Sequence, residues 1–248
     1  MAEWFEKIFD NDYIRAYAQQ NKSTVEDVDG IIELLSPEKN MKILDLCSGY
    51  GRHSLELARR GYNITGYDLS VEFLNHAKKK AEEENLKVNF VHGDVRELDY
   101  RDEFDLVLNL YTSFGYFSHD ENQEVIESIA RALVPNGRFL IEALCFSGLI
   151  RRADPEQPAS VFEGEDVIIV DTRRWDLEQN IMNVSRKLFF ADGSRKEYSF
   201  ALRVYTLAEM LRMIQKAGLR LVDYFGNLKG NAYDYQSTHY VIIAEKAF

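Results

Sequence analysis

The spacing of hydrophobic positions along this chain changes twice, and each change marks a different kind of structure. Between residues 42 and 144, short apolar runs alternate with segments of helical periodicity. The runs are KILDLC (42–47), NITGYDL (63–69), KVNFVHGD (87–94), FDLVLNLY (104–111) and RFLIEAL (138–144). Between them, residues 52–60 read as a helix closed by Gly61, and another helix opens with Ser70 as its N-cap. Residues 121–133 form a further helix that stops at VPNG. Short apolar strands separated by helices imply a parallel sheet covered on both faces. Right-handed crossovers then make a doubly wound α/β fold the expectation, with ligands outside the carboxyl ends of the strands.

Upstream, an aromatic segment precedes a helix over 24–35 that ends before Ser36 and Pro37. Near residue 160 the period shifts to that of strands. EDVIIVDTRRWDL, IMNVSRKLFFA and SRKEYSFALRVY are three long β-type runs, punctuated by Gln179-Asn180 and by Asp192-Gly193, a hairpin turn signal. They predict a small antiparallel insertion over roughly 160–204. The α/β pattern resumes with a helix carrying a Thr206…Glu209 capping box and a Gly218 stop. LRLVDYFG and THYVIIAEK then follow with no helix between them, which requires antiparallel pairing. The organisation expected is a lid of helices over 1–36 and a cap over 151–204. Residues 37–150 and 205–248 are expected to form one domain, a seven-stranded mostly parallel sheet with an antiparallel last strand.

Composition removes several classes of function. The 248 residues are 46% hydrophobic and 29% charged, with a net charge of −11. An acidic chain whose lysine clusters are interleaved with glutamate is a poor partner for a phosphate backbone, so no nucleic acid is expected. Two cysteines, Cys47 and Cys145, give no disulfide framework or CxxC spacing. His53, His76, His92, His119 and His239 form no HxxxH or HxH pair, so no metal site is expected. The N-terminus has no basic segment followed by an apolar run, and no 18-residue apolar stretch occurs. A soluble cytoplasmic protein with no membrane partner is expected; monomer and homodimer both stay open.

The candidate chemistry falls after successive strands. Asp45, Gly49 and Gly51 form a D-x-x-x-G-x-G turn whose glycines let the backbone approach a ligand. Asp68 ends the second strand, where a carboxylate can accept both hydroxyls of a ribose. Asp94 can accept from an exocyclic amine while the N–H of Val95 meets a ring nitrogen. Residues 104–117, FDLVLNLYTSFGYF, end a strand in a polar and aromatic stretch suited to a substrate wall. A dinucleotide turn sets pyrophosphate on a helix N-terminus and needs a third glycine or alanine. Here that position is Ser54, preceded by Arg52 and His53, and Asp45 adds negative charge. A cofactor carrying an ammonium and a sulfonium suits this turn better, which points to S-adenosyl-L-methionine.

ILDLCSGYG, GYDLS, HGDV, FDLVLNLYTSFGYF and LVPNGRFLI resemble, in order, the motifs of class I S-adenosylmethionine-dependent methyltransferases. Within that class the chain is similar to small-molecule enzymes with a β insertion before the sixth strand, among them sugar-amine N-methyltransferases. The resemblance implies that Asp45 with Cys47, Ser48, Gly49 and Gly51 holds the methionine end of the cofactor. It implies Asp68, with Leu69, at the ribose, Asp94 and Val95 at the adenine, and Asn109 and Leu110 on the sulfonium side. It also implies that Tyr13 closes over the cofactor from the lid. The sequence departs from the family at Ser48-Gly49-Tyr50, where Cys-Gly-Thr is more usual. The implied reaction moves a methyl group to a nitrogen or oxygen of a small-molecule acceptor.

Each residue also has a structural reading. Asp45 can cap the helix near Arg52, and Asp68 can satisfy backbone donors before Ser70. His119 is the first candidate general base, with Tyr13 the other candidate catalytic residue, yet a loop histidine is commonly a solvated turn residue. Tyr111 and Tyr116 orient substrate or simply pack, Glu142 accepts from a substrate amine or pairs with an arginine, and Cys145 packs. Arg173, Trp175 and Arg203 either line a lid or decorate a hairpin. Three rival functions stand beside the main one: a methyltransferase acting on protein or RNA, a non-catalytic cofactor-binding module, and an NAD-binding oxidoreductase.

Overall fold

The structure, a computed structural model, describes residues 8–17, 23–152 and 159–247. The parts of the expected lid at 1–7 and 18–22 therefore lie outside the described residues. Two helices lead, α1 (Asn11–Tyr17) and α2 (Thr24–Leu35), followed by β1 (Lys42–Leu46), α3 (Arg52–Arg59), β2 (Asn63–Asp68), α4 (Val71–Glu83) and β3 (Val88–His92). Next come β4 (Phe104–Asn109), α5 (His119–Ala132), β5 (Leu133–Leu144) and α6 (Phe146–Arg152). The chain then forms β6 (Ala159–Glu163), β7 (Val167–Asp176), β8 (Ile181–Phe190) and β9 (Arg195–Arg203). It closes with α7 (Leu207–Lys216), β10 (Leu219–Phe225) and β11 (His239–Lys246).

The main sheet has seven strands in the order β10-β11-β5-β4-β1-β2-β3. β11 runs antiparallel to both β5 and β10, and the other pairings are parallel. The near-continuous apolar runs follow from burial on both faces. Successive side chains of a strand point to opposite sides. Leu44, Leu46, Val107, Tyr240 and Ile242 join one core cluster, whereas Ile43, Leu106, Leu108, Val241 and Ile243 join another. The second cluster includes Val28 and Ile31 of α2, which makes that helix one cover of the sheet.

The helix starts follow from local hydrogen bonds. Phe73 N–H donates to the Ser70 hydroxyl at the start of α4. Thr206 and Glu209 form the expected capping box at α7, and Gly218 follows that helix at φ 82°. α5 begins earlier than the sequence reading placed it. Ser118 and Glu121 form a capping box, so His119 and Asp120 are its first helical residues.

The insertion is a separate antiparallel sheet in the order β6-β7-β8-β9. Its count is a correction: four strands form where three runs were read. β6 is five residues long and almost wholly exposed, and its two large apolar residues, Val161 and Phe162, are adjacent rather than alternating. It therefore lacks the period-two signal that marks its neighbours. One face of this sheet turns toward the N-terminal helix. Val167, Ile169, Leu188, Phe190 and Tyr198 cluster with Ile8 and Ala16. No helix among the described residues is long and apolar enough to cross a membrane.

Candidate active site

A large cavity, about 1550 Å³, opens at the carboxyl ends of the parallel strands. Its wall takes Asp45 and Cys47 from the end of β1, Asp68 and Leu69 from β2, Asp94 and Val95 after β3, and Leu110 and Tyr111 after β4. Ser48 and Gly49 complete the turn after β1, and Tyr13 and Tyr17 reach the cavity from α1. The far wall is the inner face of the small sheet, including Asp171, Arg173, Trp175, Met182 and Arg186. Such a volume exceeds the roughly 300–1,000 Å³ of a single small-ligand pocket.

The turn after β1 owes its shape to positive-φ residues. Cys47 sits at φ 60°, Gly49 at 58° and Gly51 at 82°. Gly51 is also packed tightly, since a Cβ there would lie 2.7 Å from Cβ of Ala77. Gly51 is the N-cap of α3 and contributes no side-chain cap. Asp45 instead meets the first turn of that helix at Ser54, by side chain and backbone. It is buried beneath the turn and accepts a 2.5 Å hydrogen bond from the Ser54 hydroxyl. Burial raises its pKa, a trend that the nearby His53 and the Ser54 bonds oppose.

Asp68 performs the structural task foreseen for it while still facing the cavity. One carboxylate oxygen accepts from Gly49 N–H and the other from Ser70 N–H, each at 2.8 Å. Burial nevertheless lifts its pKa to about 6, against the pull of those backbone donors. Asp94 is anchored differently. The Arg96 side chain donates three bonds to its two oxygens, the closest at 2.5 Å, and the Arg96 backbone N–H adds a fourth. Burial pushes the Asp94 carboxyl up, but these Arg96 bonds outweigh it and its pKa falls.

Several expected residues occupy other places. Asn109 is buried behind the cavity wall rather than on it, where its side-chain amide donates to the Leu46 carbonyl and ties β4 to β1. Gly51 shapes the turn without lining the cavity. His119 also lies outside the cavity. It lines a separate recess of about 270 Å³ together with Arg203, and its Nδ1 lies 3.4 Å from the Tyr205 hydroxyl. Tyr13 does face the cavity, stacked on Tyr17 at 4.3 Å between ring centroids and flanked by Phe9 and Phe73. Burial raises its phenol well above the ordinary value. Arg173, Trp175, Glu142 and Tyr116 line the cavity, whereas Cys145 is buried against Tyr233.

Sequence reasoning missed Arg52, His239, Asp171 and Arg186 as wall residues. Arg52 directly follows Gly51, a spacing that places it at the mouth of the turn. Its guanidinium donates to Thr24 and Asp27 and lies over the Tyr111 ring at 4.4 Å. One of its nitrogens, Nη2, is buried without a hydrogen-bond partner, as is the Ser48 hydroxyl. The strand-end rim thus combines three carboxylates with two unspent donors beside the glycine turn. No cluster of ligands for a metal ion forms among the described residues.

Residues 43–137 match the methyltransferase domain family. The putative methyltransferase YqeM of Bacillus subtilis is 36% identical over an alignment spanning 45% of each chain, so the chain covers less than half of that relative. A dTDP-3-amino-3,4,6-trideoxy-alpha-D-glucopyranose N,N-dimethyltransferase of Streptomyces venezuelae is 25% identical over 71% of this chain and 67% of its own. An S-adenosylmethionine-dependent methyltransferase of Clostridium acetobutylicum superposes with a TM-score of 0.84 at 18% identity, covering 96% of this chain and 99% of that one. Residues 43–137 are thus a methyltransferase domain, set in the fold of the class I S-adenosylmethionine-dependent methyltransferases. Its cofactor is accordingly S-adenosylmethionine, and the reading as an NAD-binding oxidoreductase is set aside. The antiparallel β11 and the acidic strand-end rim are the physical counterparts of that assignment in this methyltransferase.

Proposed function

We propose that this methyltransferase transfers a methyl group to a nitrogen or oxygen of a small molecule held between the strand-end rim and the small sheet. The observation that carries the reading is the continuity of the cavity, which runs from Asp45 and Asp68 to Arg173 and Trp175 with room for two ligands. The similar amino-sugar N,N-dimethyltransferase supports an amine as the acceptor.

The donor set fits the cofactor. Asp45 offers a buried carboxylate to its ammonium, and Arg52 and Ser48 offer their unspent donors to its carboxylate. Asp68 faces the ribose hydroxyls, with Leu69 packing beside them. Asp94 and Val95 lie at the adenine, and Leu110 borders the reacting side. Gly49 and Gly51 hold the turn open, Cys47 bends the chain into it, and Asn109 fixes the register of β4 behind it. When bound, S-adenosylmethionine supplies an electrophilic methyl group on a sulfonium.

The chain contributes orientation and exclusion of water. Tyr13 and Tyr17 roof one side, and residues 8–17 with the small sheet act as lid and cap. Tyr13 and Tyr116 are not bases. Burial pushes Tyr116 up to about 12 and Tyr13 higher, so both remain neutral hydrogen-bonding groups. An amine arriving unprotonated needs no base, so the reaction is one of positioning.

A panel of amino acids, amino sugars and phenols tests this, reading release of the demethylated cofactor and the mass of the acceptor. Methylation of a small amine or hydroxyl is expected. Turnover on protein or RNA with none across the small-molecule panel would overturn the acceptor assignment.

A further inference from the structure

The inner face of the small sheet is apolar at both ends and charged in the middle. At one end Val167, Ile169, Leu188 and Tyr198 pack with the N-terminal helix. At the other, Met182, Val184 and Leu202 pack with Trp175 and Leu149. Between them stand Asp171, Arg173 and Arg186, all lining the cavity. Asp171 and Arg186 are register partners across β7 and β8. Arg186 grips the carboxylate with two parallel 2.6 Å bonds, one to each oxygen. Arg173, two residues along the same face, reaches one of those oxygens at 3.0 Å.

The charges of this group do not balance. One buried carboxylate faces two guanidinium ions, leaving a net charge of +1 at the wall of a partly apolar cavity. Arg186 also faces the rings of Tyr17 and Phe200 and the phenol of Tyr198, and none of them brings a negative charge. Arg186 and Asp171 are largely buried as a pair, whereas a third of the Arg173 side chain stays open, where a counter-charge can meet it. Arg173 is the member with capacity left. Of five N–H donors, it spends one on Asp171 and one on the Ser160 hydroxyl of β6. Those two anchors hold its planar fork in place, which suits a carboxylate or phosphate oxygen.

We propose that the acceptor of this methyltransferase carries an oxyanion, a carboxylate or a phosphate, and that Arg173 binds it as the counter-charge of the Asp171–Arg186 pair. The inference rests on the reading of the cavity as the acceptor site and adds the chemical class. Arg173 is then the specificity-determining residue of the cap. An acceptor would enter with its anion against the small sheet and its amine or hydroxyl toward the strand-end rim.

The test is calorimetric titration of the full chain, saturated with S-adenosylhomocysteine, with acetate, inorganic phosphate and pyrophosphate. One saturable site is expected. Arg173→Gln should weaken it about tenfold or more, the loss typical of one hydrogen bond between charged groups, while Arg173→Lys should retain part of the affinity. Preference for acetate points to an amino-acid-like acceptor and preference for pyrophosphate to a nucleotide-linked one. In the wild-type chain, the same anions should protect Arg173 from phenylglyoxal, read by peptide mass mapping, which holds even where a variant folds poorly. No saturable anion binding, or binding unchanged in Arg173→Gln with Arg173 unprotected, would overturn the proposal. Neither result bears on small-molecule methylation itself, which the acceptor panel reads with neutral amines included.

Discussion

The two walls of the cavity carry opposite charge and were built by different means. The strand-end rim is acidic: Asp45, Asp68 and Asp94 each stand at or just past the end of a parallel strand, held by bonds from nearby turns and helix starts, Ser54 for Asp45, Gly49 and Ser70 for Asp68, and Arg96 for Asp94. The cap wall is basic, and its charged group exists only because two strands pair in one register. A wall made by local turns can be read one strand at a time. A wall made by cross-strand pairing needs the fold first. The proposed function gives this division a use, with the cationic cofactor at the rim and the acceptor at the cap.

The contrast can be broken from either side. The largest effect is expected at Asp171, whose removal leaves Arg186 buried without its partner. Asp171→Ala should cost about 3–5 kcal/mol of stability, measured by urea unfolding. A loss below about 1 kcal/mol, the value of an exposed pair, would show that the group is solvated instead. Next is Asp68→Ala, expected to weaken cofactor binding by about 1.5–3 kcal/mol, the range for a hydrogen bond to a charged group. Unchanged affinity would remove Asp68 from the ribose site.

A smaller effect is set by pH. Burial raises the Asp68 carboxyl to about 6, above its unfolded value, so the free protein binds a proton there that the unfolded chain has lost. The charged form of Asp68 therefore works against folding: the penalty builds as pH rises from the unfolded value of 3.8 and is complete above about 6. Binding runs the other way, because an ionised Asp68 is the better acceptor for hydroxyls. Cofactor affinity should be flat above neutrality and fall roughly tenfold per pH unit below about 6; a flat profile down to acid pH would contradict it. The raised pKa of Asp45 acts with the same sign. The smallest effect is expected at His119. Outside the cavity and beside Tyr205, it should tolerate His119→Ala with turnover changed less than about threefold, under 1 kcal/mol by the usual rate conversion. A large fall in turnover with unchanged cofactor affinity would return it to the chemistry.

The same contrast explains what was legible in the sequence. The order of strands and helices was readable because β1, β4 and β5 are covered on both faces and keep their apolar runs. The capping residues Ser70 and Thr206 were readable because a cap is a matter of a few neighbouring residues. The Ser118–Glu121 box carried the same signal and was overlooked, which misplaced His119 in a loop. β6 was hidden by its lack of alternation, and Asp171 with Arg186 by the fifteen-residue separation that only the hairpin register closes. Asn109 shows the remaining limit: its place in the strand was clear, but which way its side chain turned depended on the packing of β1 behind it.

The most direct measurement is calorimetric titration of S-adenosylmethionine into three proteins in parallel: the wild type, Asp68→Ala on the rim and Trp175→Ala on the cap. Weakened binding in Asp68→Ala alone is the expected result, with Trp175→Ala indistinguishable from wild type. Loss of cofactor affinity in Trp175→Ala, with Asp68→Ala unaffected, would contradict the division of the cavity into a cofactor rim and an acceptor cap.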